Sequence, residues 1–346
     1  MSPFRPDRRT LLRHLAAAVP LAAGLATARA AAAAGTQTIT LYSGQHPQVV
    51  QMLTDAFTKE TGIAVRVHSG EGPDIANQLL REGKSSPADV VFVENSPELV
   101  LLDEHHLLGP VAPATLARVP RQYSAADGRW LAVLARQNVL AWNPTLIRAQ
   151  DLPRSLLDLA QPAWKGKVAI APSDSDFLPL VGAVIHTEGR AKALEWLKGL
   201  KANAKLYDDD EGVVAAVNRG SVATGVINNY YWARLATELG AARTHSRIAH
   251  FAPGDVGNLV NISGAAVLAS SRHPEAAQRF AAFLVSDPAQ EMLGKSSVDY
   301  EYPLAGGVQP NAMLTPYADL HPPAIGPNQL GDDRESADLL QAAGLI

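Results

Sequence analysis

Two apolar rhythms alternate along the chain. Residues 38–43 alternate apolar and polar side chains in a β-prone run, which Gly44-Gln45-His46-Pro47 ends. Val49, Val50, Leu53 and Phe57 then recur at helical spacing, with Gly62 as the stop signal. Residues 63–67 read as the next strand, and Ile75, Leu79 and Leu80 mark a short helix. Residues 88–93 are apolar on both faces, as a strand covered on both sides must be. Residues 99–102 open another helix. The second half repeats the style, with strands expected at 167–171, 221–227 and 264–269. Helices are expected where Ala191, Leu194, Leu197 and Leu200 share a face, around Val213, Val214 and Val217, over 276–284, and over 335–343. Repeated strand–helix units predict an α/β fold with a mostly parallel sheet and helices on both faces.

A chain of 346 residues exceeds one ordinary core and predicts two lobes. The expected crossings lie near 136–140 and 261–264. They assign residues 35–138 plus about 262–312 to the N-terminal lobe, and 139–261 plus about 313–346 to the C-terminal lobe. Neither a G-x-G-x-x-G run nor a Walker A sequence occurs, so a dinucleotide or P-loop site is not expected. Two lobes of this kind suit a hinged protein that closes on a ligand.

The first thirty-odd residues follow another pattern. Arg5, Arg8, Arg9 and Arg13 precede a short Ala/Leu-rich stretch and several A-x-A options near residues 28–34. This reads as a signal peptide over residues 1–34, and Arg8-Arg9-Thr10-Leu11-Leu12 resembles the twin-arginine type. Cleavage after Ala34 would remove five arginines and one aspartate, moving the formal net charge from −4 to −8. No basic cluster remains to meet nucleic acid, and the mature chain is not expected to bind an anionic membrane. There is no cysteine, so core burial alone must stabilise an exported chain, and thiolate metal sites are excluded.

Ligands of open α/β sheets sit beyond the carboxyl ends of strands. Three such ends carry unusual side chains: His46 after the first strand, Glu94 after the apolar strand, and Tyr230 with Tyr231 after residues 221–227. Taken singly, these are a loop histidine, a helix N-terminal carboxylate and rim aromatics. Together they suggest a metal. A phenol titrates near pH 10, and ionising two at neutral pH needs a strong positive charge nearby. Fe³⁺ supplies it and is a hard ion that suits oxygen donors. One imidazole, one carboxylate and two phenolates balance its three charges, leaving two positions for water or an anion.

With these residues in view, the chain resembles the periplasmic ferric-ion-binding proteins of bacterial ABC importers, counterparts of transferrin lobes. The matching runs are Ile39-Thr40-Leu41-Tyr42-Ser43-Gly44-Gln45-His46, Pro87-Ala88-Asp89-Val90 through Glu94, Ile227-Asn228-Asn229-Tyr230-Tyr231-Trp232, Ser263-Gly264-Ala265-Ala266-Val267-Leu268 and Glu301-Tyr302-Pro303-Leu304. The resemblance implies a two-lobed periplasmic-binding-protein fold with a hinged cleft, and iron bound by His46, Glu94, Tyr230 and Tyr231. It implies a monomer that serves an ABC permease in the inner membrane, and a synergistic anion, phosphate or carbonate, touching Asn228, Asn95, Ser173 and Ser175. One loop departs from the pattern. Pro172-Ser173-Asp174-Ser175-Asp176-Phe177 places two carboxylates where family members carry small neutral residues, and Asp210 also stands where a neutral partner is expected. Carbonate, water or a side-chain carboxylate could take the place of phosphate. A carrier of thiamine, a polyamine or an organic anion is the alternative, with Arg136 as its clamp and the tyrosines as a stacking wall. An enzyme is not expected, because neither G-x-S-x-G nor H-E-x-x-H occurs.

Overall fold

The computed structural model describes residues 37–346, so the expected export signal lies outside the described residues. β1 (Thr38–Gly44) leads into α1 (Pro47–Thr61). Pro47 starts that helix because its fixed φ suits the first turn, where its missing N–H is not needed. Gly62 ends it in the left-handed region at φ 72°. β2 (Ala64–Ser69), α2 (Gly72–Glu82), β3 (Val90–Val93) and α3 (Ser96–Glu104) complete the first set of units. β4 (Leu131–Trp142) is buried along its whole length. The second set comprises β5 (Val168–Ile170), α4 (Phe177–Glu188), α5 (Arg190–Asn203), β6 (Ala204–Leu206), α6 (Asp210–Asn218), β7 (Thr224–Asn228), α7 (Asn229–Leu239) and β8 (Arg247–Ala249). β9 (Val260–Val267), α8 (Pro274–Leu284), α9 (Asp287–Gly294), β10 (Tyr302–Pro303) and α10 (Arg334–Ala343) follow.

Among the described residues the strands join in the order β2-β1-β3-β9-β4-β7-β5-β6, with β8 and β10 also on β4. β1 is parallel to β2 and β3, and β5 is parallel to β6 and β7. β4 joins the two halves. Its residues up to Gln137 pair with β9, and from Asn138 onward they pair with β7. The change of partner falls among three buried polar side chains, Arg136, Gln137 and Asn138.

Separate apolar cores lie on either side of that change. The first gathers β1, β3, α1, α8 and the start of β4 around Phe57, Phe92 and Phe280. The second gathers Leu140, Leu180, Trp196 and Leu197 with the terminal helix, and a smaller cluster lies around Val139, Val213 and Ile227. Leu314 and Leu320 pack with the first core, whereas Leu330, Leu339 and Leu340 pack with the second.

Local differences from the sequence expectation have identifiable causes. β7 starts at Thr224 rather than residue 221, because Gly220 turns left-handed and the Ser221 N–H bonds back to Ala216 O at 2.9 Å. β9 starts four residues earlier than the apolar run, since Asn261 and Ser263 are buried polar residues inside it. On α5 the buried face is Ala193, Trp196, Leu197 and Leu200, and Ala191 is exposed.

Phe57 ties the two sequence-distant parts of the first core together. Its ring meets Phe280 edge-on at 5.0 Å and Phe283 at 5.5 Å, and it has no exposed surface. Phe57→Ala should cost roughly 3–5 kcal/mol of stability. Urea denaturation of the protein tests this, as a lowered transition midpoint.

Candidate metal centre

The four side chains expected to bind metal each stand at or beside the start of a helix. His46 is the N-cap of α1, and Glu94 sits between β3 and Asn95, the N-cap of α3. Tyr230 and Tyr231 lie in the first turn of α7, not in a loop. That placement resolves the oddity of adjacent tyrosines. A helical turn lets both rings face one way, and they stack with centroids 4.1 Å apart. The positive ends of the helix dipoles also favour anionic donors there.

The structure brings all four into one crevice. His46 Nε2 lies 3.0 Å from Glu94 Oε1, and the His46 ring meets Tyr230 edge-on at 5.0 Å. The open part of the cleft holds roughly 600 Å³ and is lined by His46, Glu94, Asn95, Ser175, Tyr231 and Arg234 among others. Tyr230 is fully buried at its floor.

Arg136 organises the wall behind them. It is completely buried, and its Nη2 donates to Asp176 Oδ1 at 2.7 Å and Asn95 Oδ1 at 2.5 Å. Its Nη1 donates to Ser263 Oγ at 3.1 Å and to the backbone oxygen of Glu94, which holds the Glu94 loop in position. Asp176 also accepts a hydrogen bond from Tyr230 Oη at 3.0 Å. Glu301, fully buried, accepts from Gln45 Nε2 and Ser263 Oγ and lies 3.7 Å from His46 Nδ1. That gap is an ion-pair distance too long for a hydrogen bond, so Glu301 turns the Nδ1 face of the ring inward by charge. Nε2 is left toward Glu94 and the cleft.

These charges set the titration of the four side chains. Burial pushes Glu94 up to about 8; His46 pulls it down and Asp176 adds to the rise. Burial also lifts both phenols above their ordinary value, and the Asp176 carboxylate lifts them further. Burial disfavours the His46 imidazolium, but Glu301 and Glu94 outweigh it and raise the imidazole above its usual value. Burial opposes ionisation of Asp176 and Glu301 too. The Arg136 charge and the hydrogen bonds they receive nevertheless hold both carboxyls below the ordinary range. The cleft therefore holds neutral phenols beside the ionised carboxylates of Asp176 and Glu301.

The residues expected to touch an anion have varied surroundings. Asn95 is engaged with Arg136 and Asp176, and Ser173 Oγ donates to Asp208 O at 3.2 Å. Ser175 lines the cleft, and Asn228 Nδ2 is buried without a hydrogen bond. Asp174 accepts from the backbone N–H groups of Asp176 and Asp210, and Asp210 accepts from that of Asn228 at 2.9 Å. Burial raises Asp174 to about 6 and Asp210 well above its usual value.

Several participants escaped the sequence reading. Glu301 was visible only as the first residue of the run Glu301-Tyr302-Pro303-Leu304, and Asp299, two residues before it, carried no signal. Arg234, whose guanidinium lies 5.3 Å above the Tyr230 ring and 5.8 Å above that of Tyr231, had no signal beyond helical spacing from the tyrosines. His46, Asp299 and Glu301 also offer donor atoms within 4.8 Å of one another. Neither carboxylate of that trio lines the cleft, so an ion arriving from solvent meets the Nε2 side of His46 first.

Similar proteins point the same way. A family model described as a bacterial extracellular solute-binding protein matches residues 52–320. The Fe(3+)-binding periplasmic protein of Serratia marcescens is 39% identical over 317 residues, covering 92% of this chain and 93% of that one. The major ferric iron-binding protein of Neisseria meningitidis serogroup B is 38% identical over 323 residues, covering 93% and 97%. Iron-bound HitA from Pseudomonas aeruginosa superposes with a TM-score of 0.84 at 41% identity, over 89% of this chain and 99% of that one.

Removing Arg136 strands two buried carboxylates. Arg136→Met should destabilise the iron-free protein by roughly 3–5 kcal/mol near pH 7. Asp176 and Glu301 titrate below their unfolded values, so the stability that they contribute exists above about pH 4 and fades as pH falls. The gap between wild type and variant should accordingly narrow below about pH 4, as denaturation at several pH values would reveal.

Proposed function

The chain belongs to the bacterial extracellular solute-binding protein family, and we propose, from its ferric-binding relatives and the geometry of the cleft, that it carries one ferric ion between its lobes on His46, Glu94, Tyr230 and Tyr231. It is a periplasmic iron-binding protein of an ABC uptake system, as its similarity to the named ferric-binding relatives implies. The family serves transport rather than catalysis. Export by the twin-arginine route, function as a monomer and delivery to an inner-membrane permease are parts of the same proposal. Among the described residues no helix is long and apolar enough to cross a membrane.

One observation carries the ligand assignment. An imidazole and a carboxylate 3.0 Å apart face two stacked phenols across a single crevice. The alternative, an organic solute, finds little support here. Arg136 is fully buried and committed to Asp176 and Asn95, so it cannot clamp a ligand. The tyrosine rings stack on each other and leave no slot between them for a flat solute.

The mechanism follows from charge. Neutral phenols and a raised Glu94 mean that the ion must displace protons to bind. His46 and Glu94 come from loops after β1 and β3, and the tyrosines come from α7 after β7. An ion held by both sets favours the closed arrangement through its differential affinity for it. Acid, or reduction to the less charged ferrous ion, weakens the grip. The four ligands leave two positions of an octahedron. A carbonate or phosphate filling them would meet Asn228 Nδ2 and the turn from Ser173 to Ser175, beside Asp174 and Asp176.

Phenolate-to-iron charge transfer should colour the loaded protein red or purple. Tyr230→Phe and Tyr231→Phe should each weaken or shift that visible band and lower affinity at least about tenfold. A colourless ferric complex would sink the phenolate assignment. Loading should also release at least two protons, one from each phenol. Because binding expels protons, affinity should rise with pH, and more steeply below about pH 8, where Glu94 is still protonated in the empty cleft. Iron titrations with a pH-stat measure both.

A further inference from the structure

We propose that this cleft accepts iron as a cationic species, and that acidic side chains on both lobes at its mouth draw the cation in and turn away anionic chelates such as ferric citrate. This rests on the ferric reading given above and names the form in which the ion enters.

The charge of the cleft lining carries the proposal. Glu71 and Asp74 stand at the start of α2, a helix of the first core. Asp208, Asp209 and Glu211 stand around the start of α6, which packs in the cluster around Val213 and Ile227. All five line the cleft, and all are exposed, so they form its rim from both sides. Among the described residues that line the cleft, Arg234 is the only arginine or lysine. Its charge is already engaged. Nη1 donates to Glu211 Oε1 at 3.0 Å, and the guanidinium lies over both phenol rings. The carboxylates of a chelator would therefore meet acids on both sides and no free cation.

Size does not supply this selectivity. The cleft holds roughly 600 Å³, within the range of pockets that take small organic ligands. Charge does supply it. Acids of one sign around a concave mouth focus the field there and change encounter rates by about 10- to 1,000-fold, with a steep dependence on ionic strength. Screening acts over about 8 Å at physiological salt, so acids around one cleft act together.

A deeper acid points the same way. Glu98 lines the cleft four residues after Glu94, is 5% exposed, and its Oε2 has no hydrogen-bond donor among the described residues. A buried carboxylate oxygen in that state is stabilised by a cation and destabilised by another carboxylate. Acids therefore line the cleft from its exposed rim inward to Glu94.

The test uses the mature full-length protein stripped of iron and follows loading by tryptophan fluorescence, which the bound ion should quench. One donor is ferric acetohydroxamate at two hydroxamates per iron, a cation. The other is ferric citrate in excess citrate, an anion. Rates are read where they are proportional to protein concentration, in sodium nitrate raised from about 20 to about 300 mM. In the wild type, salt should slow loading from the cationic donor at least about threefold and speed loading from the citrate complex. The triple variant Glu71→Gln, Asp74→Asn, Asp208→Asn should show the same two changes at low salt. Its visible band and its equilibrium affinity for iron should match the wild type, because none of the three touches the ion. The proposal is overturned if salt moves both rates in one direction or moves neither, or if the triple variant loads from both donors as the wild type does. The salt comparison decides even if the variant fails to fold. If neither donor loads the protein at any salt, the ferric reading itself falls. If both donors load it without regard to salt, the cationic-entry proposal alone falls.

Discussion

The cleft is governed by an imbalance of buried charge. Glu94, Asp176 and Glu301 crowd around one guanidinium, Arg136, with Asp174, Asp210 and Asp299 close behind. A single buried cation cannot neutralise that many acids, so the site protonates some of them and keeps its phenols neutral. Buried charge of one sign is costly unless paired or coordinated. A small ion of high charge therefore suits the pocket, and burial among these acids is what raises the titration of Glu94 and the tyrosines.

The backbone supports the same polarity. His46, Asn95, Asp176 and Asn228 each occupy the N-cap position of a helix, and all four stand at the cleft. Each helix turns its positive end inward. Four partial charges of this kind offset some of the acid excess without adding a titratable group, and they do not change with pH. This lets carboxylates and phenolates share a small space that would otherwise exclude them.

Much of this was legible in the sequence, and the exceptions are instructive. The first strand, its helix and the apolar strand before Glu94 appeared because each side chain there obeys the period of its element. His46, Glu94 and the tyrosine pair stood out as chemistry at strand ends. What stayed hidden were polar residues whose meaning depends on distant partners. Asn261 and Ser263 interrupted an apolar run and so shortened the expected strand, although they are buried at the junction of the lobes. Glu301 lies far along the chain from His46 and becomes part of the site only when β10 pairs with β4. Asp176 was legible as a departure from the family pattern. That its carboxylate turns away from its own helix was not, because rotamers leave no trace in composition or spacing.

β4 changes partner between Gln137 and Asn138, and the side chains at that point are amides and a guanidinium rather than aliphatics. Gln137 bonds to the backbone of Asn258 and Leu320, and Asn138 to Asn261. Aliphatic packing at a joint resists turning, because every contact is lost as the surfaces slide. An amide that leaves one oxygen can take up another, or a water, at similar energy. The junction can therefore act as a bearing whose friction is low, while the aliphatic cores on either side stay rigid. Arg136 sits one residue from that junction, so the charge at the centre of the site is anchored where the two halves of the sheet meet.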